Sequence, residues 1–237
     1  MTATNIDNTT DTTSVTETNR SSINVENMND ASTTESQVTK QPAWVENEIS
    51  KWGERLRVAE WEDAEYRAND GWKGTDLIHS STSPVQINNY MVSYGDGSGG
   101  PIPNLERGGI GTVLTGIAHF TPAAESHKGY CHGGSMCSVL DDVVGWCGFL
   151  VTGECRPWSG FTAQVNASLK KPIAVGSVLR IRASITKWEG RKVYIAAELA
   201  EPSGTDDEKD LVIHAIGEGL VILQRGVLSE KEEEKKS

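Results

Sequence analysis

The chain has 237 residues, with 33 Asp and Glu against 22 Lys and Arg, for a net charge of −11. That balance excludes a broad nucleic-acid surface, which needs a positive face to neutralise phosphates. No run of about 18 or more apolar residues occurs, so no membrane-spanning helix is expected. The N-terminus has neither the apolar stretch of a secretory signal nor the Arg richness of a mitochondrial leader, so a cytoplasmic location is expected over a mitochondrial one. Cys131, Cys137, Cys147 and Cys155 make no CxxC pair and no zinc-type spacing with histidine, so they are expected as reduced thiols with no metal.

In chain order, residues 1–40 come first, and Thr, Ser and Asn supply 22 of those 40. Such a segment buries too little apolar surface to offset its ordering entropy and is expected to be disordered. Residues 41–109 read as a helix and an irregular extension packed on a core domain. Val45, Ile49, Trp52, Leu56 and Ala59 repeat at steps of four and three, the spacing of one helical face. Pro84–Tyr94 can hold a short strand. Gly95–Gly109 is a Gly- and Pro-rich loop, and its GDGSGG lacks the GK[ST] ending of a phosphate-binding loop.

Residues 110–225 carry the clearest pattern. Gly111–Phe120 reads as a strand and His132–Leu150 as a long helix. Four strands follow at Gly160–Lys170, Val178–Trp188, Lys192–Ala200 and Leu211–Leu223. In the first, Phe161, Ala163, Val165, Ala167 and Leu169 alternate with Thr162, Gln164, Asn166, Ser168 and Lys170, which places Thr162 on the polar face. A long helix followed by an antiparallel meander is an α+β order, with the helix laid on one face of the sheet. Residues 226–237 end in a solvated charge run.

On a helical wheel, Met136, Leu140, Val143, Val144 and Cys147 form the stripe that faces the sheet. Asp141 lies on another stripe with Gly134, Cys137, Ser138 and Gly145, where small neighbours allow a ligand to approach. Asp142 is turned about 100° away, with Ser135, Trp146 and Phe149. The wheel alone does not choose between the two acids. His132-Gly133-Gly134 opens the helix, where free N–H groups and the positive dipole end can stabilise a developing oxyanion.

CHGGSMCSVLDDVVGWCGF, followed by FTAQVNASLKKPIAVGSVLRIRASI, resembles the hotdog-fold acyl-CoA thioesterases of the phenylacetate-pathway type, nearest the eukaryotic long-chain branch. The resemblance spans about residues 110–223. It implies a long central helix wrapped by a curved antiparallel sheet, in a homodimer or homotetramer with active sites at the subunit interface. It implies hydrolysis of an acyl-CoA to a carboxylic acid and coenzyme A, with coenzyme A as part of the substrate and no separate cofactor. Asp141, nine positions after the motif His, matches the family's nucleophile or general base. Gly133 and Gly134 match the backbone donors to the thioester oxygen, Thr162 matches the residue that orients water, and His132 shapes the site. Ser126 stands where some bacterial relatives carry Asn.

Coenzyme A is anionic, whereas the chain is acidic. Residues 170–192 hold Lys170, Lys171, Arg180, Arg182, Lys187, Arg191 and Lys192 against Glu189 alone, a local basic window. Lys170, Lys171, Pro172, Arg180, Arg182 and Asn166 are the expected substrate-binding residues. His79, His119 and His214 read as strand or loop residues rather than metal ligands, and no G-x-S-x-G elbow supports a serine triad. The competing readings are a non-catalytic acyl-CoA-binding or regulatory module, whose acidic N-terminal region recruits a partner, and an enoyl-thioester hydratase.

Overall fold

The computed structural model describes residues 42–49, 51–58, 64–73, 76–201 and 211–228. The tails expected at 1–40 and 229–237 lie outside the described residues.

One helix, Gly133–Phe149, lies against a seven-stranded antiparallel sheet. The strands are β1 (Glu54–Leu56), β2 (Val85–Ser93), β3 (Val113–Phe120), β6 (Gly160–Leu169), β7 (Val178–Glu189), β8 (Lys192–Glu201) and β9 (Val212–Leu223). Their order across the sheet is β1-β2-β3-β7-β8-β9-β6, with a separate small pair, β4 (Glu125–His127) and β5 (Tyr130–Cys131), just before the helix. This is the α+β hotdog architecture, a central helix enfolded by an antiparallel sheet.

The pattern of burial explains why these residues form these elements. Leu179, Ile181, Ala183 and Ile185 of β7 and Val193, Ile195, Ala197 and Leu199 of β8 are buried at every second position, the period of a strand with one face on a core. Met136, Leu140, Val143, Val144 and Cys147 are buried with them, so the wheel's apolar stripe is the packed face of the helix. Each of the Val, Leu, Ile and Met side chains among them stabilises the fold by about 1.5–3 kcal/mol relative to exposure. His132 ends the chain's extended approach (φ −64°, ψ 133°) and caps the helix, its side chain accepting from Gly134 N–H at 2.8 Å.

The helix sits close to the sheet because β9 presents glycines beneath it. A Cβ on Gly217 would lie 3.5 Å from Leu140, an ordinary contact, whereas one on Gly219 would run into the Val144 side chain. From the other side, a Cβ on Gly148 would come 2.8 Å from Val221. The interdigitation leaves no room for a methyl group at Gly219.

Two expectations are corrected. The helix read across Val45, Ile49, Trp52, Leu56 and Ala59 spans only Ala43–Ile49. Gly53 turns the chain at φ +40°, where a Cβ would collide with the Val92 carbonyl, and Leu56 is buried from strand β1, opposite Tyr90 of β2. The apolar spacing therefore belongs to two elements joined by a turn, and Ala59 lies outside the described residues. The second correction concerns β6. Thr162 pairs with Val221 and Gln164 with Leu220, so Ala163 is an extra residue, a β-bulge. The bulge breaks the simple alternation. Thr162 and Leu169, assigned to opposite faces by sequence, both approach the helix: a Cβ on Gly145 would lie 3.3 Å from Thr162 Oγ1, and one on Gly133 2.9 Å from Leu169 Cδ1.

The packing at β9 gives a stability test. Gly219→Ala is expected to cost about 1–3 kcal/mol by overpacking, and Gly217→Ala less than about 1 kcal/mol. Urea denaturation of the two variants measures the difference, and equal losses would show that the helix can withdraw from the sheet.

Candidate active site

The start of the central helix offers one backbone donor. Gly134 N–H is taken by His132 Nδ1 at 2.8 Å, and Ser135 N–H by the His132 carbonyl at 2.9 Å. Among the described residues, Gly133 N–H meets no acceptor, so of the two expected donors Gly133 alone can serve a ligand. His132 itself works through the cap: its ring fixes the first turn by accepting from Gly134 N–H.

Asp141 lies on the exposed side of the helix, in the row of small residues that includes Gly145. Thr162 of the bulged strand donates a hydrogen bond to its carboxylate. Partial burial and the neighbouring charge of Asp142 push the Asp141 pKa above the ordinary carboxylate value, while the Thr162 hydroxyl pulls it back. Thr162 reaches Asp141 because of the bulge, which alternation alone would have turned the other way.

Asp142 is not a second free acid. His79 Nε2 stands 3.1 Å from both of its oxygens, and Tyr90 OH donates to Oδ2 at 2.8 Å. The other ring nitrogen, His79 Nδ1, is 3.2 Å from the Ile87 carbonyl. Two acceptors on two ring nitrogens call for a proton on each, so the geometry fits an imidazolium paired with a carboxylate. Burial opposes that charge, but the Asp142 carboxylate, with Asp76 and the Ile87 carbonyl behind it, outweighs the penalty and raises the His79 pKa. Burial and the Asp142 charge hold Tyr90 well above the usual phenol value, so it remains a donor.

The wheel left Asp141 and Asp142 equivalent; the structure separates them by their neighbours. His79 was read as an ordinary loop residue. No sequence signal near it points to residue 142, since the contact spans 63 positions. The nearest clue is Asp76, whose Oδ1 accepts from the amides of Ile78 and His79 at 2.8 and 2.7 Å and fixes the turn that presents the ring.

The remaining candidates scatter. Lys170 and Lys171 donate their backbone N–H groups to the His214 carbonyl, and Pro172 accepts from His214 Nδ1 at 3.0 Å. Cys131 N–H donates to the Ile173 carbonyl, so this loop runs beside the residues that lead into the helix. Arg180 is a correction: it is buried and paired with Glu198 at 3.2 Å. Arg182 and Asn166 lie on the outer sheet face, in a groove of about 430 Å³ with Glu198 and Glu218, away from Asp141 of the same chain. The basic window is not one patch. Strand β7 is 12 residues long. Lys170 stands level with His214 of β9 and Lys192 pairs with Ile222, eight residues further along, so at about 3.3 Å per residue the loop and the hairpin stand roughly 25 Å apart along the sheet. Among the described residues, no group of three or more His, Cys, Asp or Glu is placed to hold a metal ion.

The His79–Asp142 pair gives a pH-dependent stability. A histidine whose pKa is raised on folding contributes stability fully present below the unfolded value near 6.5 and lost as pH rises through the folded value. His79→Gln is therefore expected to lower Tm more at about pH 6 than at about pH 9. Thermal melts at both values test this, and an equal loss would mean the ring is neutral in the fold.

No family model matches the chain. It is 29% identical over 96 residues to acyl-coenzyme A thioesterase THEM4 of Bos taurus, covering 40% of this chain and 35% of that one. It is 32% identical over 89 residues to the Mus musculus THEM4, covering 37% and 34%. The chain thus spans about a third of the length of these relatives. Among solved structures, zebrafish thioesterase superfamily member 2 aligns with a TM-score of 0.44 at 15% identity, over 67% of this chain and 93% of that one. A putative thioesterase from Ralstonia eutropha, a phenylacetic acid degradation-related protein, aligns with a TM-score of 0.38 at 24% identity, over 47% and 76%. By the THEM4 matches the chain is similar to acyl-CoA thioesterases over about a third of their length, and its own helix-and-sheet architecture is that of a hotdog domain.

Proposed function

We propose that the protein hydrolyses an acyl-CoA thioester to a carboxylic acid and coenzyme A. The observation that carries this reading is Asp141, a helix carboxylate held by Thr162 and open to a ligand, in a chain related to acyl-CoA thioesterases. Its neighbour Asp142 is matched by His79, so Asp141 can stay ionised at neutral pH and act as a base or nucleophile. Either it takes a proton from water, whose oxygen attacks the thioester carbon, or it attacks that carbon itself and water opens the resulting anhydride. In both routes the carbonyl oxygen gathers negative charge, the C–S bond breaks and coenzyme A leaves as its thiolate. An amide N–H at the helix start stabilises the oxyanion.

One helix cannot supply both parts to one carbonyl. Gly133 and Asp141 are eight residues apart on it, which at a rise of about 1.5 Å per residue is about 12 Å. Reacting groups must come within about 3–3.5 Å. The site therefore takes Asp141 from one copy and the Gly133 amide from a second, in a homodimer or a tetramer built of such pairs. Strand β6 supports such pairing: it is an edge strand of the sheet and carries the exposed apolar side chains Phe161 and Leu169. The Lys170-Lys171-Pro172 loop, beside the chain entering the helix, is the proposed contact for coenzyme A phosphates.

Thiol release from an acyl-CoA panel tests the activity. Asp141→Asn is expected to lose about a hundredfold or more, some 2.7 kcal/mol of barrier. Gly133→Pro removes the amide N–H at a helix position that accepts proline, and a similar loss is expected. Co-expressing the two inactive variants should restore about a quarter of wild-type activity, because half the pairs are mixed and each mixed pair holds one intact site. Failure to restore it, with both variants folded and paired, would place both groups in one chain. Saturable acyl-CoA binding without thiol release would favour the non-catalytic module.

A further inference from the structure

A cleft of about 350 Å³ opens beside Asp141. One wall is the central helix, with Ser138, Asp142 and Trp146. The opposite wall comes from upstream of the hotdog domain, with Trp72, Leu77 and His79, and Trp158 lies across the end. Trp158 is 6.0 Å, ring to ring, from both Trp72 and Trp146, tilted by 57° and 61°, so the three indoles form an angled cage rather than a stack.

Trp146 is part of the core, but Trp72 and Trp158 are not. Trp158 is 48% exposed and Leu77 61% exposed, although both are large apolar groups on the rim of a cleft that holds a carboxylate. Trp158 is also held at φ +61°, a left-handed conformation that costs a non-glycine residue on the order of 1–3 kcal/mol. Its carbonyl is fixed by Gln224 Nε2 at 2.8 Å, and the backbone next to it by the Gln224 N–H to Ser159 carbonyl bond at 2.7 Å. The backbone is thus locked in the conformation that turns this ring toward the cleft. The upstream wall is fixed as well. The His79–Asp142 contact clasps it to the helix, and Ile87 N–H donates to the Ile78 carbonyl at 3.1 Å.

We infer that Trp72, Leu77 and His79, with Trp146 and Trp158, form the subsite for an apolar acyl group, and that Trp72, Leu77 and Trp158 determine specificity for it. This rests on the hydrolase reading, because Asp141 fixes where the thioester carbon lies. The acyl group extends from that carbon into the indole cage, which favours apolar groups in proportion to the surface they bury. His79 takes no part in the chemistry: both ring nitrogens are engaged, and its role is to position the wall.

The experiment compares kcat/KM for acetyl-, hexanoyl- and decanoyl-CoA in wild type, Trp72→Ala and Leu77→Ser. The expected result is a loss that grows with the acyl group: less than twofold for acetyl-CoA and tenfold or more for decanoyl-CoA, mainly in KM. Leu77→Ser changes an exposed side chain and keeps the test valid if Trp72→Ala fails to fold. A loss equal for all three substrates, or none, would overturn the inference. If wild type releases no thiol from any of them, the hydrolase reading fails and tryptophan fluorescence decides the subsite alone. Quenching by decanoyl-CoA but not by free coenzyme A, with at least fivefold weaker affinity in Leu77→Ser, would uphold it. No acyl-dependent quenching would overturn it.

Discussion

Two carboxylates in succession on a helix cannot both be left charged and partly buried at small cost. Each raises the energy of the other, and the effect grows as water is excluded. The arrangement around Asp141 and Asp142 follows from that constraint. Asp142 turns toward the upstream segment and β2 and is matched there by a histidine and a tyrosine hydroxyl. Asp141 turns the other way, toward Thr162, and keeps an open side. A rotation of about 100° between adjacent helix positions makes the division of labour possible. Tyr90 on β2 and the bulge in β6 are the parts of the sheet that complete it.

Much of the framework was legible in the sequence, because burial on one face of a strand or helix writes a period into the residues. The long helix read as His132–Leu150 is found at Gly133–Phe149, with His132 as its cap. Strands β7, β8 and β9 begin and end within a residue of their expected limits. Where the reading failed, the cause was a single residue that resets the period. Gly53 ends a helical pattern that the apolar spacing would have continued to Ala59, and the extra residue Ala163 moves Thr162 from the outer face to the helix face. A bulge leaves no mark in composition, because it is decided by pairing with a strand far along the chain.

The site was legible by half for the same reason. Asp141 and the helix start are local features, nine residues apart or fewer, and a helical wheel describes them. The partner of Asp142 lies 63 positions away, and no periodicity connects the two. The basic window failed in the opposite direction. Residues close in sequence were carried apart by a long strand, so that Arg180 became an internal ion pair while Lys187 met Glu189 at the far hairpin. Local charge counts describe a surface only where the chain turns back within a few residues.

The upstream segment is therefore not an appendage to a self-sufficient domain. Without His79, the helix would hold a partly buried carboxylate with its charge unmatched by the histidine, next to the one proposed for catalysis, and leaving such a group uncompensated costs more than the pair contributes when intact. The same segment supplies one wall of the cleft beside Asp141. Electrostatic balance on the helix and the shape of the cleft thus come from a single stretch of chain, clasped to the helix by His79 and to β2 by the Ile78–Ile87 bond. If the cleft is the proposed acyl subsite, changes in that stretch alter which acyl groups fit only while they preserve the histidine. The proposed specificity at Trp72 and Leu77 is thereby tied to a fixed point at His79.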